Sequence, residues 1–99
     1  MGVAVQPDAE RALTDRALAL HPRVALRPEP FGALLYHYGT RRLVFLKHPD
    51  VVRVVEALRD HATVGDALEA CGIASRRHGS FHRALQSLLD SEMLHDRAG

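Results

Sequence analysis

His78 and His82 stand four residues apart, a spacing that puts two imidazoles on one face of a helix and makes a two-point metal grip. No short Cys/His cluster offers third and fourth ligands, so no metal site is expected. Cys71 is the single cysteine. It lies beside Gly72 with no His–Asx partner set up in a recognisable motif, and it reads as a small buried apolar residue rather than a nucleophile. A lone cysteine also excludes an intramolecular disulfide and a four-Cys zinc site, which fits a reducing compartment. The chain carries no Gly-rich phosphate loop, no nucleophile elbow and no HExxH. The expectation is a protein that is not an enzyme.

The chemistry that remains is charge. Thirteen Lys+Arg against twelve Asp+Glu leave a net charge of +1 at pH 7, which argues against a polycation but hides clustering. No Asp or Glu occurs from Pro30 to Pro49, a window holding Arg41, Arg42 and Lys47. None occurs from Ala70 to Leu89, a window holding Arg76, Arg77 and Arg83 beside His78 and His82. The acids concentrate at Asp50, Glu56, Asp60, Asp66 and Glu69 and at the two ends of the chain. If the two basic windows adjoin in space, they bound a positive groove suited to an acidic partner. Protonated histidines near about pH 6.5 would add to its charge.

The elements that must position these residues follow from periodicity. Residues 1–20 are Ala-rich, with Ala9, Ala12, Leu13, Ala17 and Leu20 at loose helical spacing, which predicts an N-terminal arm or marginal helix. Pro22, Pro28 and Pro30 then impose extended chain. Arg23–Arg27 alternates with a period of two, Ala33–Tyr38 follows, and Gly39-Thr40 predicts a tight turn in which the glycine takes a positive φ. Arg42–Leu46 is the third strand. From Pro49, suited to a first helical position, Val51, Val52, Val54, Val55 and Leu58 share a helical face. Thr63-x-x-Asp66 starts a short second helix stopped by Gly72. Ser75 is the predicted cap of a third helix running to about Met93, with Phe81, Leu85, Leu88 and Leu89 as its stripe.

The fold class is therefore α+β: a three-stranded antiparallel sheet followed by three helices, with residues 21–97 as one domain. That order raises two pictures. One is a winged-helix DNA-binding regulator with its third helix in the major groove. The other is a binder that accepts an extended peptide on the edge of its third strand. The net charge of +1 disfavours the first. No apolar run approaches the roughly 20 residues of a membrane helix, and the N-terminus lacks a signal-peptide pattern, so a cytoplasmic location is expected.

One stretch carries a family resemblance. It runs from His21-Pro22-Arg23-Val24-Ala25-Leu26-Arg27-Pro28-Glu29-Pro30-Phe31-Gly32 through Ala33–Tyr38, then Arg41–Lys47 and Pro49-Asp50-Val51-Val52. Residues 19–94 resemble the PqqD-like precursor-peptide recognition domains, and within them the peptide chaperones of the mycofactocin system. The resemblance implies a winged helix-turn-helix-like domain without catalytic activity and without a cofactor, the metal and the cofactor belonging to its partner enzyme. It would bind the acidic leader of a ribosomally made precursor and present it to a radical S-adenosylmethionine (SAM) maturase.

The resemblance also implies a docking groove between the third strand and the third helix. Here that maps onto Arg42, Leu43, Val44, Phe45, Leu46 and Lys47, with Arg76, Arg77, Phe81, Ala84, Leu85 and Leu88 opposite. Plain core packing is the competing role for Phe81, Leu85 and Leu88.

Overall fold

A computed structural model describes residues 13–97. The remainder of the expected N-terminal arm, residues 1–12, lies outside the described residues. Three strands, β2 (Val24–Glu29), β3 (Gly32–His37) and β4 (Leu43–Leu46), form an antiparallel sheet in the order β2-β3-β4. Three helices follow: α1 (Pro49–Ala57), α2 (Val64–Ala70) and α3 (His78–Asp90). The architecture is α+β, as the periodicity predicts.

Two short strands were not legible. β1 (Leu18–Leu20) pairs antiparallel with β5 (Leu94–Asp96) in a separate two-stranded sheet. The ladder continues at both ends, where the His21 N–H donates to the Met93 carbonyl and the Arg97 N–H to the Ala17 carbonyl. The helical spacing read up to Leu20 is thus corrected: Leu13 and Thr14 are helical, but Leu18–Leu20 is strand. Pairing with a distant segment overrides the local preference of an Ala- and Leu-rich run. Leu13 and Leu18 both join the buried core.

The helix boundaries carry their expected signals, with two exceptions, both at the third helix. His48 precedes Pro49 at the start of α1, and the Thr63 hydroxyl accepts from the Asp66 N–H at the start of α2. Gly72 takes φ 75° just after α2. Ser75, however, does not cap the third helix. It opens a 3-10 turn, Ser75–Arg77, that feeds into α3 at His78. The helix stops at Asp90 rather than Met93, because Glu92 turns the chain at φ 66° into β5.

The hairpin between β3 and β4 also turns differently. Arg41, at φ 67°, takes the left-handed conformation, and Gly39 does not. Gly39 is needed for space: a Cβ there would press on the His37 ring, whose Nδ1 accepts from the Gly39 and Thr40 N–H groups. Gly32 has the stricter requirement. Its φ is 150°, and a Cβ would overlap the Leu46 carbonyl oxygen, so only glycine lets the end of β4 pass this closely.

One side of the three-stranded sheet packs on the helices. Ala33, Leu35 and Leu46 are buried with Val54, Val55, Leu68, Phe81, Leu85 and Leu88, and Val44 packs partly buried against them. Leu34, Tyr36, Leu43 and Phe45 alternate onto the opposite face.

Candidate functional site

The hydrogen-bond phase of the sheet decides which strand can accept a new neighbour. The His37 N–H donates to the Arg42 carbonyl, and the same register pairs Leu35 with Val44 and Ala33 with Leu46. In an antiparallel ladder bonded and non-bonded pairs alternate. Val44 and Leu46 therefore turn their backbone groups toward β3, while Leu43 and Phe45 turn theirs to the open edge. On the other side of the sheet, the Tyr38 N–H donates to the Arg23 carbonyl. That phase leaves the pair of Pro28 and Ala33 non-bonded, so the missing N–H of Pro28 falls on the outer edge of β2. The β2 edge is blocked by a proline and the β4 edge is not.

The open β4 edge borders a groove. One cavity of about 340 Å³ is lined by Val44–His48, Val51, Ala84, Ser87 and Leu88. A second, of about 260 Å³, continues it past His48, Val51 and Ala84 to Arg77, Ser80 and Phe81. Together they run between β4 and the start of α1 on one side and α3 on the other. The walls are mainly apolar, with Lys47, His48 and Arg77 as the basic groups.

Several predicted site residues are brought together here: Val44, Phe45, Leu46, Lys47, Arg77, Phe81, Ala84 and Leu88. Phe81 and Leu88 are nevertheless largely buried, so they form the floor. Leu85 is fully buried in the core and lines neither cavity. The Leu46 side chain is likewise core. Arg42, Leu43 and Arg76 are exposed but line neither cavity.

The electrostatics are less positive than the acid-free windows suggest. Arg77 donates to Asp50 at 3.2 Å, and Arg53 donates to the same carboxylate at 2.7 Å. The hydrogen bond from Arg77, then that from Arg53, hold the Asp50 carboxyl below the usual carboxylate range, with desolvation opposing them. The Arg77 guanidinium also lies 5.2 Å from the Phe81 ring centroid, within cation–π range. Lys47 and Arg76 form no ion pair among the described residues. Asp50 lies one residue beyond the first acid-free window; its helical start places it against the second, which spacing alone does not reveal.

The histidines divide. His48 lines the groove. The His78 Nε2 is hydrogen-bonded to the Ile73 carbonyl at 2.9 Å and the His82 Nε2 to the Thr14 hydroxyl at 3.1 Å. Their rings lie 6.3 Å apart. Among the described residues no group of three or more His, Cys, Asp or Glu side chains is arranged to hold a metal.

A larger cavity of about 790 Å³ lies on the far side, between β1, β2 and α1. Its rim mixes Arg53 and Arg59 with Glu56 and Asp60, and it adjoins the proline-blocked edge. Among the described residues no helix is long and apolar enough to cross a membrane.

A groove of this shape beside a strand edge left unpaired among the described residues is suited to an extended peptide. A sequence model described as the peptide chaperone MftB family matches residues 17–95. The chain belongs to the MftB peptide chaperone family. Its relatives are named as chaperones and not as enzymes. The peptide chaperone MftB of Mycolicibacterium smegmatis is 51% identical over 80 residues, covering 81% of this chain and 78% of that one. The Mycobacterium ulcerans MftB is 50% identical over 80 residues, covering 81% and 73%. The Mycobacterium tuberculosis MftB is 43% identical over 91 residues, covering 92% and 84%. No solved structure matches significantly.

Proposed function

We propose that the protein binds the acidic leader of a ribosomally made precursor peptide as an added strand on β4, and presents it to a radical SAM maturase in mycofactocin biosynthesis. The domain is read as winged-helix-like and PqqD-like, with the recognition surface on the sheet edge rather than on the third helix alone. The carrying observation is the contrast between the two sheet edges: Pro28 removes a donor from β2, whereas β4 offers Leu43 and Phe45 backbone groups beside an apolar groove.

Magnitudes rank the contributions. Exposed ion pairs contribute about 0.2–1 kcal/mol each, so three or four cations give roughly 1–3 kcal/mol. Ordering a disordered leader costs about 2–5 kcal/mol. Micromolar binding needs about −8 kcal/mol. Strand pairing and apolar burial in the groove must therefore supply most of the affinity, more so because Asp50 already engages Arg77.

The test is titration of the purified protein with a precursor peptide of the mycofactocin system, against random duplex DNA at the same salt. Saturable peptide binding without DNA binding is expected. DNA binding without peptide binding would favour the winged-helix regulator.

A further inference from the structure

An antiparallel sheet with one face in water usually alternates apolar-in and polar-out. β3 and β4 do not. Gly32-Ala33-Leu34-Leu35-Tyr36 and Leu43-Val44-Phe45-Leu46 are apolar on both faces, the pattern of strands covered twice, yet among the described residues the helices cover one face only. On the other face the large apolar side chains are bare: Phe31 is 42% exposed, Leu43 55%, Phe45 56% and Tyr38 59%. These four are the exposed large hydrophobic residues of the described chain, and they lie on this one surface.

They also touch. The Phe31 and Phe45 rings lie 5.9 Å apart, Phe45 pairs with Leu34, Leu43 pairs with Tyr36, and Tyr36 meets Tyr38 edge-to-face at 5.0 Å. The result is a continuous apolar stripe along β3 and β4. Arg41 and Arg42 flank it at one end of β4 and Lys47 at the other, and Arg27 stands across from Leu34 on β2. The carboxylate nearest this face, Glu29, is already engaged by Arg27 at 2.6 Å.

We infer that this outer face is a second docking surface, for the modifying enzyme that receives the peptide, through a patch with an apolar centre and a carboxylate-rich rim. The partner's identity rests on the peptide-delivery reading above. The apolar stripe calls for a protein surface, since contiguous exposed patches of this kind mark interaction sites. The cationic rim selects its charge: Arg27 is offset by Glu29, but a second copy of this chain would bring Arg41, Arg42 and Lys47 against themselves, whereas an acidic rim complements them. Continuity supplies the last argument. β4 gives its edge and its inner side to the peptide groove and the side chains of Leu43 and Phe45 to the outer face. A protein docked there lies directly beside the bound peptide.

The test replaces two stripe residues that are neither on β4 nor in the groove, Phe31→Ser and Tyr38→Ser together. Both side chains are substantially exposed, so the fold is expected to survive, and thermal unfolding checks it. If the double variant fails to fold, Phe31→Ser alone serves. Affinity is measured separately for the precursor peptide and for the peptide-free radical SAM enzyme of the mycofactocin system, together with the sedimentation behaviour of the chaperone alone. The expected result is enzyme binding weakened at least tenfold, with peptide affinity within twofold of the parent. Enzyme affinity within twofold of the parent overturns the inference. So does a parent protein that dimerises through this face, seen as a concentration-dependent dimer that the variants dissolve. Absence of peptide binding by the parent overturns the groove reading instead, while the enzyme arm still decides the outer face.

Discussion

The Arg77 Nη1 donates to Asp50 Oδ2 at 3.2 Å, so an acid from the first turn of α1 closes on the base expected to meet the peptide. A carboxylate of the leader would have to compete with Asp50 for that guanidinium. Asp50→Asn removes the competitor and leaves the shape of the groove. Peptide affinity should then rise by up to about fivefold at low salt, equivalent to about 1 kcal/mol for an exposed pair. The gain should fade toward 1 M salt, where the screening length falls to about 3 Å. Fluorescence anisotropy with labelled leader across a salt series checks both. An affinity indifferent to Asp50→Asn at low salt means that Arg77 does not meet the peptide.

The backbone phase of β4 makes a sharper prediction. The Phe45 N–H points to the open edge, so Phe45→Pro removes a donor for the incoming strand without breaking the native ladder. Peptide binding should fall at least tenfold, about 1.4 kcal/mol. Phe45→Ala, which keeps the N–H, controls for the lost ring. Neutralising Arg76 and Arg77 together should cost less, about two- to fivefold, with a flatter salt dependence. Val44→Pro strikes a group bonded within the sheet and should lower the melting temperature instead. Equal affinity losses from the proline and arginine changes would contradict strand addition.

The sequence shows these features unevenly, for physical reasons. Alternation in Val24–Leu26 and the apolar runs on either side of residues 38–42 make the hairpins legible, because they form from neighbouring segments. β1 and β5 are three residues each and acquire strand structure only from one another, across nearly the whole chain. Leu18-Ala19-Leu20 has no local reason to be a strand. The groove between β4 and α3 could be placed from element order and family resemblance. Which side chains enter it depends on alternation within β4, which sends Leu46 to the core and Leu43 to the outer face. The neutralising role of Asp50 depends on where α1 begins relative to the turn before α3. Spacing within one segment carries no information about that.

Gly32 and Gly72 both adopt positive φ, and their surroundings separate the consequences of replacing them. At Gly72 a Cβ meets nothing within 4 Å among the described residues, so Gly72→Ala should cost only the left-handed backbone penalty, about 1–2 kcal/mol. At Gly32 a Cβ would strike the Leu46 carbonyl oxygen, which belongs to rigid backbone. Gly32→Ala should destabilise more than Gly72→Ala, with each kcal/mol lowering the melting temperature by about 4–8 °C. It should also displace the end of β4 and weaken peptide binding, whereas Gly72→Ala should not. Calorimetry and the peptide titration on the two variants check the order.

The junction between the two sheets is built from histidines and should make stability depend on pH. His21 lies with its ring 4.6 Å from that of His37 on β3 and 5.6 Å from that of His95 on β5. Desolvation, then the proximity of His37 and His95, lower the pKa of His21; Arg23 adds to this slightly and Glu92 opposes it. The His21 Nδ1 accepts from the Arg23 N–H at 3.0 Å, and the buried His37 Nε2 has no hydrogen-bond partner among the described residues. The neutral form of His21 is thus favoured in the folded state relative to the unfolded chain, where the pKa is about 6.5. A depressed folded-state pKa means that the contribution to stability is complete above about pH 6.5 and is lost as pH falls through the lowered value. The melting temperature should accordingly decline from pH 7 to pH 5. Asp50, whose carboxyl is also held low, loses its contribution only below its unperturbed value of about 3.9, whereas the loss from His21 begins near pH 6.5. His21→Asn should flatten the profile between pH 7 and pH 5 while leaving the decline below pH 4. A profile that keeps its full slope in that variant would place the pH dependence elsewhere in the molecule.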